Sequence, residues 1–245
     1  MNRLGHTRSS YRTDHALLTP DTFIRASLPG MSGATAIVHA APAMGAAFTA
    51  YTAELEAGGR LGACASQRFV WVLEGYIHVA IQDGEHSLGK EGYAYLPAGC
   101  AHEAIAAGPA RAVVIEKSYQ SIQGIEPPHA LIGDERAVEA QHFLGDQAVE
   151  VRILLPTDFA FDFAVNTMTF QPGASLPMVE SHVMEHGLLM LDGGGIYRLG
   201  ECWYPVTAGD FIWMAPYCPQ WFGAIGKTPA RYLIYKDWNR HPLSR

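Results

Sequence analysis

Apolar residues along this chain come in short runs that stop at glycine or at a polar pair, and the runs favour β-branched and aromatic side chains. Phe69 to Leu73, Tyr76 to Ile81, Ala112 to Glu116, Gly187 to Leu191, Ile196 to Leu199, Asp210 to Met214 and Arg231 to Tyr235 each read as a strand. Long helical periodicity is missing, and one short helix of a turn or two fits near Asp134 to Phe143. The pattern predicts an all-β barrel or sandwich.

Two stretches repeat each other. Phe-Val-Trp-Val-Leu-Glu-Gly (Phe69 to Gly75) and Gly-Leu-Leu-Met-Leu-Asp-Gly (Gly187 to Gly193) are apolar strands that end in Leu, an acid and Gly. Further on, Gly92-Tyr-Ala-Tyr-Leu-Pro97 parallels Gly209-Asp-Phe-Ile-Trp-Met-Ala-Pro216. The interval from Gly75 to Gly193 is too long for a solenoid unit and suits a duplicated domain. Gln-Gly-Ile-Glu-Pro-Pro-His, ending at His129, interrupts any regular element, which places the boundary between Ser118 and Asp146. The expected layout is an N-terminal barrel with a leading arm over 1–125, a linker over 126–150 and a C-terminal barrel over 151–245.

Length agrees with this division, because 245 residues exceed the usual single domain. A hydrophobic share of 49% against 17% charged is that of a globular protein, and 25 glycines with 15 prolines supply many turns. The net charge of -7 argues against nucleic-acid and anionic-membrane partners, which need clustered Lys and Arg. Arg3, Arg8 and Arg12 have no apolar segment behind them, unlike a secretory signal, and the apolar stretch from Ala40 to Ala50 is short and broken by Pro42. Cys64, Cys100, Cys202 and Cys218 form no C-x-x-C pair and read as reduced thiols of a cytoplasmic protein, Cys218 as a packed one.

The densest group of metal-capable side chains is Glu180-Ser-His182-Val-Met-Glu-His186. On an extended strand, positions 180, 182 and 186 share one face, so a carboxylate and two imidazoles would point to one place. The alternative is a polar strand edge with solvent-exposed histidines. An apolar hairpin that follows at once favours the buried arrangement.

This layout resembles the cupin superfamily, whose first motif Gly173, His182, His186 and Gly193 follow in outline. Glu180 and His182 stand for its His-x-His pair, and Gln220, eleven residues after Gly209, stands where its second motif has histidine. These departures resemble one family of bicupins, the (S)-ureidoglycine aminohydrolases. The likeness is carried by Glu180-Ser-His182-x3-His186-Gly-Leu-Leu, Gly195-Ile-Tyr197-Arg-Leu-Gly, Pro219-Gln220-Trp221 and the run from Tyr232 through Lys236 to Leu243. It extends to Asp14-His-Ala-Leu-Leu-Thr-Pro20. It implies two double-stranded β-helix (jelly-roll) barrels and one Mn2+ per chain in the C-terminal barrel, held by Glu180, His182, His186 and Gln220. Hard oxygen donors with imidazole suit such an ion. It also implies a substrate pocket with Tyr197, Tyr232 and Lys236, a small ureide as substrate, allantoin degradation as the setting and a homo-oligomer. Tyr232 and Lys236 share strand parity, and an inward ammonium needs a nearby anion.

In the first barrel the matching positions hold Cys64 and Arg68, and His102 alone keeps a ligand place, so that barrel is expected to be metal-free. Arg240, His241 and the remaining histidines are expected at the surface or in packing. Two rival readings stay open: another metal-dependent bicupin, such as a dioxygenase or decarboxylase of a small acid, and a non-enzymatic small-molecule-binding cupin.

Overall fold

A computed structural model of the chain describes residues 5–240, so the expectations that touch Arg3 and His241 lie outside them. The described residues form two compact units, one of 5–23, 139–157 and 163–240, the other of 24–138 and 158–162. Almost all regular structure is strand. Among the described residues no helix is long and apolar enough to cross a membrane.

The chain opens with β1 (Ser10–Tyr11) and β2 (His15–Leu18). The unit of residues 24–138 then holds β3 (Arg25–Ala26), β4 (Ser32–Ala40), β5 (Thr49–Arg60), β6 (Gln67–Glu74), β7 (Ile77–Ile81), β8 (Gly84–Leu88), β9 (Gly92–Leu96), β10 (Glu103–Ala106), β11 (Ala110–Lys117) and β12 (Leu131–Asp134). They join in one ten-stranded antiparallel sheet that encloses Tyr51, Val70, Ile77, Leu96 and Val114.

The other unit continues with β13 (Gln141–Phe143), β14 (Asp146–Ile153), β15 (Phe163–Phe170), β16 (His186–Asp192), β17 (Gly194–Leu199), β18 (Cys202–Thr207), β19 (Phe211–Met214), β20 (Gln220–Ala224) and β21 (Ala230–Asp237). An eight-stranded sheet in the order β1-β2-β19-β16-β21-β15-β14-β13 and a three-stranded sheet β18-β17-β20 share a core of Leu17, Phe170, Leu188, Tyr197 and Phe222. The all-β double-cupin expectation holds, and the seven expected strands lie inside, or within a residue of, β6, β7, β11, β16, β17, β19 and β21.

The unit bounds differ from the expected ones in two places. The leading arm pairs with the second barrel: β2 runs antiparallel to β19, with Ala16 opposite Trp213 and His15 opposite Met214. Arg8 forks onto the fully buried Asp210 at 2.6 and 2.8 Å, which gives that carboxylate the counter-charge burial demands. Residues 126–150, expected as a linker, contain β12, which pairs with β9, and β13 with the first part of its hairpin partner β14. Near the expected helix only a single 3-10 turn forms, Glu135–Ala137, because strand pairing claims the residues on either side.

The repeated Leu-acid-Gly ending has a steric cause. Gly75 and Gly193 both take left-handed backbone (φ +77° and +63°), and a Cβ there would run into the carbonyl oxygen of Pro109 or Pro229. The later parallel is shifted by one residue from the alignment on glycine. The N–H of Gly209 bonds Met190 O and that of Glu91 bonds Val72 O, both at 2.8 Å. Glu91 (φ +68°), not Gly92, therefore matches Gly209.

Candidate functional site

In the second barrel, antiparallel register stacks side chains in rows across β15, β21, β16 and β19. Ala164, Lys236, His186 and Met214 form one row; Asn166, Ile234, Leu188 and Ile212 form the next; Met168, Tyr232 and Met190 form a third. All seven residues expected in the site line a single cavity of about 500 Å³ beside these rows.

The extended strand expected over positions 180–186 is absent. Glu180 sits in an isolated bridge with Gln220, their backbone N–H groups each reaching the other's carbonyl at 2.8 Å, and β16 begins only at His186. Between them the Tyr217 N–H holds the His182 carbonyl at 2.6 Å. Bridge and loop, rather than strand parity, bring the three side chains to one cavity.

There His182 Nε2 meets Glu180 Oε2 at 3.2 Å, and the rings of His182 and His186 lie 5.0 Å apart. His186 is buried and donates to the Met184 carbonyl, and its pKa is pushed down to about 3 by burial and by the facing His182 and Lys236. It is a neutral imidazole with one nitrogen tied to backbone. The buried Tyr197 hydroxyl donates to Gln220 Oε1 at 3.3 Å and so orients that carboxamide. One carboxylate, two imidazoles and one carboxamide oxygen make a donor set that fits a hard or borderline divalent cation, and the bond from Tyr197 leaves Gln220 Oε1 a second lone pair.

The remaining expected residues sit beside this corner. Lys236 stands directly across the ladder from His186, and burial lowers its pKa against the pull of Glu180. Its ammonium lies 4.5 Å from the centroid of the Trp238 ring, a cation–π contact. Tyr232 is fully enclosed and its hydroxyl reaches Met168 Sδ at 3.2 Å. Burial raises both tyrosine pKa values, so each phenol stays protonated and acts as a donor.

A family model described as a cupin domain matches residues 166–235. A protein of Oryza sativa subsp. japonica, named probable (S)-ureidoglycine aminohydrolase, is 43% identical over 98% of this chain and 78% of its own length. The (S)-ureidoglycine aminohydrolase of Arabidopsis thaliana is 40% identical over 98% of this chain and 80% of its own. The chain belongs to the (S)-ureidoglycine aminohydrolase family. Among solved structures, a Pseudomonas aeruginosa protein described as glyoxylate induced superposes with a TM-score of 0.89 at 29% identity, covering 98% of this chain and 94% of that one.

The first barrel of this aminohydrolase relative arranges the matching positions differently. Arg68 pairs with Glu116 across β6 and β11, as His186 pairs with Lys236 across β16 and β21. The Arg68 guanidinium bonds Glu116 Oε1 at 2.7 and 2.9 Å and His102 Nε2 at 2.9 Å, while His102 Nδ1 meets the Cys100 carbonyl at 2.8 Å. Both His102 nitrogens are engaged, and a fixed cation occupies the corner.

A second donor group, Asp14, His15 and Cys218, has ligand atoms within 4.8 Å of one another. His15 meets Asp14 through Nδ1 and Tyr204 through Nε2, both at 2.9 Å, and burial pushes the Cys218 thiol up to about 11. These bonds fasten the segment from Asp14 to Pro20 to the second barrel, and Cys218 is the packed thiol expected. Among the residues of the cavity wall that sequence reasoning passed over are Asn166 and Trp238. Each carried a signal: Asn166 is polar at an inward place between Ala164 and Met168, and Trp238 extends the alternation of Tyr232, Ile234 and Lys236.

Proposed function

We propose that this protein hydrolyses (S)-ureidoglycine to (S)-ureidoglycolate and ammonia in allantoin breakdown, using one Mn2+ per chain held by Glu180, His182, His186 and Gln220. The observation that carries the proposal is the meeting of this donor set with Tyr197, Tyr232 and Lys236 around one cavity in a member of this family. When bound, a divalent ion supplies Lewis acidity and a fixed point of positive charge. The first barrel carries none in this reading, because Arg68 already holds Glu116 and His102.

The protein's own groups then divide the work. Lys236 Nζ binds the substrate carboxylate and, with its pKa lowered by burial, hands a proton to the departing nitrogen as the C–N bond breaks, then regains one from the water whose oxygen forms the new C–O bond. The two neutral phenols donate hydrogen bonds, Tyr197 through Gln220 and Tyr232 from the cavity wall. Held at several points, the substrate offers one face to water, and the apolar wall of Ile234 and Met168 keeps other water away. The test is ammonia release from freshly generated ureidoglycine by the metal-loaded protein. A rate well above spontaneous decay supports the proposal, and a rate equal to it refutes the proposal.

A further inference from the structure

Asn166 carries a polar atom that the protein leaves open. Among the described residues its Oδ1 is a buried acceptor with no hydrogen-bond partner, although the residue is only 8% exposed and lines the cavity. Buried acceptors are nearly always paired, because desolvation without compensation is costly. One row away the Tyr232 hydroxyl finds only a thioether, Met168 Sδ, which is a weak acceptor. Two adjacent polar groups of the wall thus lack strong partners.

The first barrel provides an internal comparison. Asn166 stands opposite Ile234 as Tyr51 stands opposite Val114, and these strand pairs match between the barrels. The Tyr51 hydroxyl donates to Glu116 at 2.9 Å, so at the equivalent place the first barrel satisfies its polar atom internally. In the second barrel the equivalent of Glu116 is Lys236, and no bond joins Asn166 Oδ1 to it.

An open acceptor selects a ligand with an N–H group. It repels a carboxylate, which belongs with Lys236 one row away, about 7 Å along the strand. A ureido end fits instead, since its terminal NH2 donates and its planar shape matches a carboxamide. We propose that Asn166 reads the ureido end of the substrate, with Oδ1 accepting from the terminal NH2, and thereby selects ureido acids over acids without that group. The assignment rests on the reaction proposed above.

The test uses two competitive probes against the metal-loaded protein, N-carbamoylglycine and N-acetylglycine, which differ in NH2 against CH3. The wild type should bind the carbamoyl compound about tenfold more tightly, the scale of one hydrogen bond whose loss leaves a buried group unpaired. Asn166→Leu and the smaller Asn166→Ser should bring the two within about threefold and raise KM for ureidoglycine more than they lower kcat. A wild type that turns over ureidoglycine but binds both probes equally overturns the role of Asn166 and leaves the proposed reaction intact, and this holds even where neither variant folds. Unchanged discrimination in a folded variant overturns it as well. A wild type that fails to turn over ureidoglycine overturns the reaction, and this inference with it.

Discussion

His186 and Lys236 are direct partners across the β16–β21 ladder, at the register place where the first barrel sets Arg68 against Glu116. One duplicated pair of positions has become a self-satisfied ion pair in one barrel and a neutral imidazole beside an ammonium in the other. The second arrangement leaves a lone pair and a positive charge facing a cavity, which the first does not. Metal analysis of protein purified without chelators should therefore give about one equivalent per chain. His186→Ala should abolish it, and two equivalents, or retention after that change, would contradict the donor set.

Lys236→Met keeps the length of the side chain and removes its charge. The cation–π contact with Trp238 is a modest interaction, so the variant should fold and load metal normally. Turnover should fall by about a hundredfold, the scale of losing a positioned proton donor. Normal turnover in a metal-loaded variant would remove Lys236 from the chemistry, and lost metal would make its role structural.

Tyr197→Phe deletes a hydroxyl whose described bond runs to Gln220 Oε1. Groups that orient a ligand typically contribute ten- to a hundredfold to metal affinity. The variant should show a metal Kd raised by about tenfold with an unchanged unfolding midpoint in the apo form. An unchanged Kd would mean that Gln220 needs no such guidance.

Acid should weaken the first barrel through His39, which is buried against Thr52 at 2.8 Å and has its pKa pushed down from 6.5 to about 3. Between those values the unfolded chain binds a proton that the folded chain does not, so stability falls as pH drops from 6.5 toward 3. His39→Gln removes this proton uptake. Urea midpoints measured from pH 7 to pH 4.5 should fall less steeply for the variant than for the wild type, and parallel curves would assign the acid sensitivity elsewhere.

Strand identity was legible because Phe69 to Leu73 and Gly187 to Leu191 are apolar runs bounded by glycines that the turns require. The residues at the cavity were legible by type, but the reason they converge was not. Glu180 and His182 reach it through a bridge to Gln220 and a bond from Tyr217, contacts between positions about forty residues apart that alternation does not report. The arm was assigned to the wrong barrel for the same reason: its partner, β19, lies almost two hundred residues away in sequence. Asn166 was visible as a polar residue at an inward place, but its missing partner is a property of the folded cavity alone.

Stereospecific hydrolysis is read out by the configuration of the product. In the proposed reaction, substrate anchored by Lys236, the tyrosines and the metal corner would offer one face to water, whereas uncatalysed decay has no such preference. Freshly generated ureidoglycine should give ureidoglycolate that is almost wholly the S enantiomer, together with one equivalent of ammonia, when analysed by chiral separation. A racemic product formed at the background rate by fully metal-loaded protein would rule out the proposed reaction.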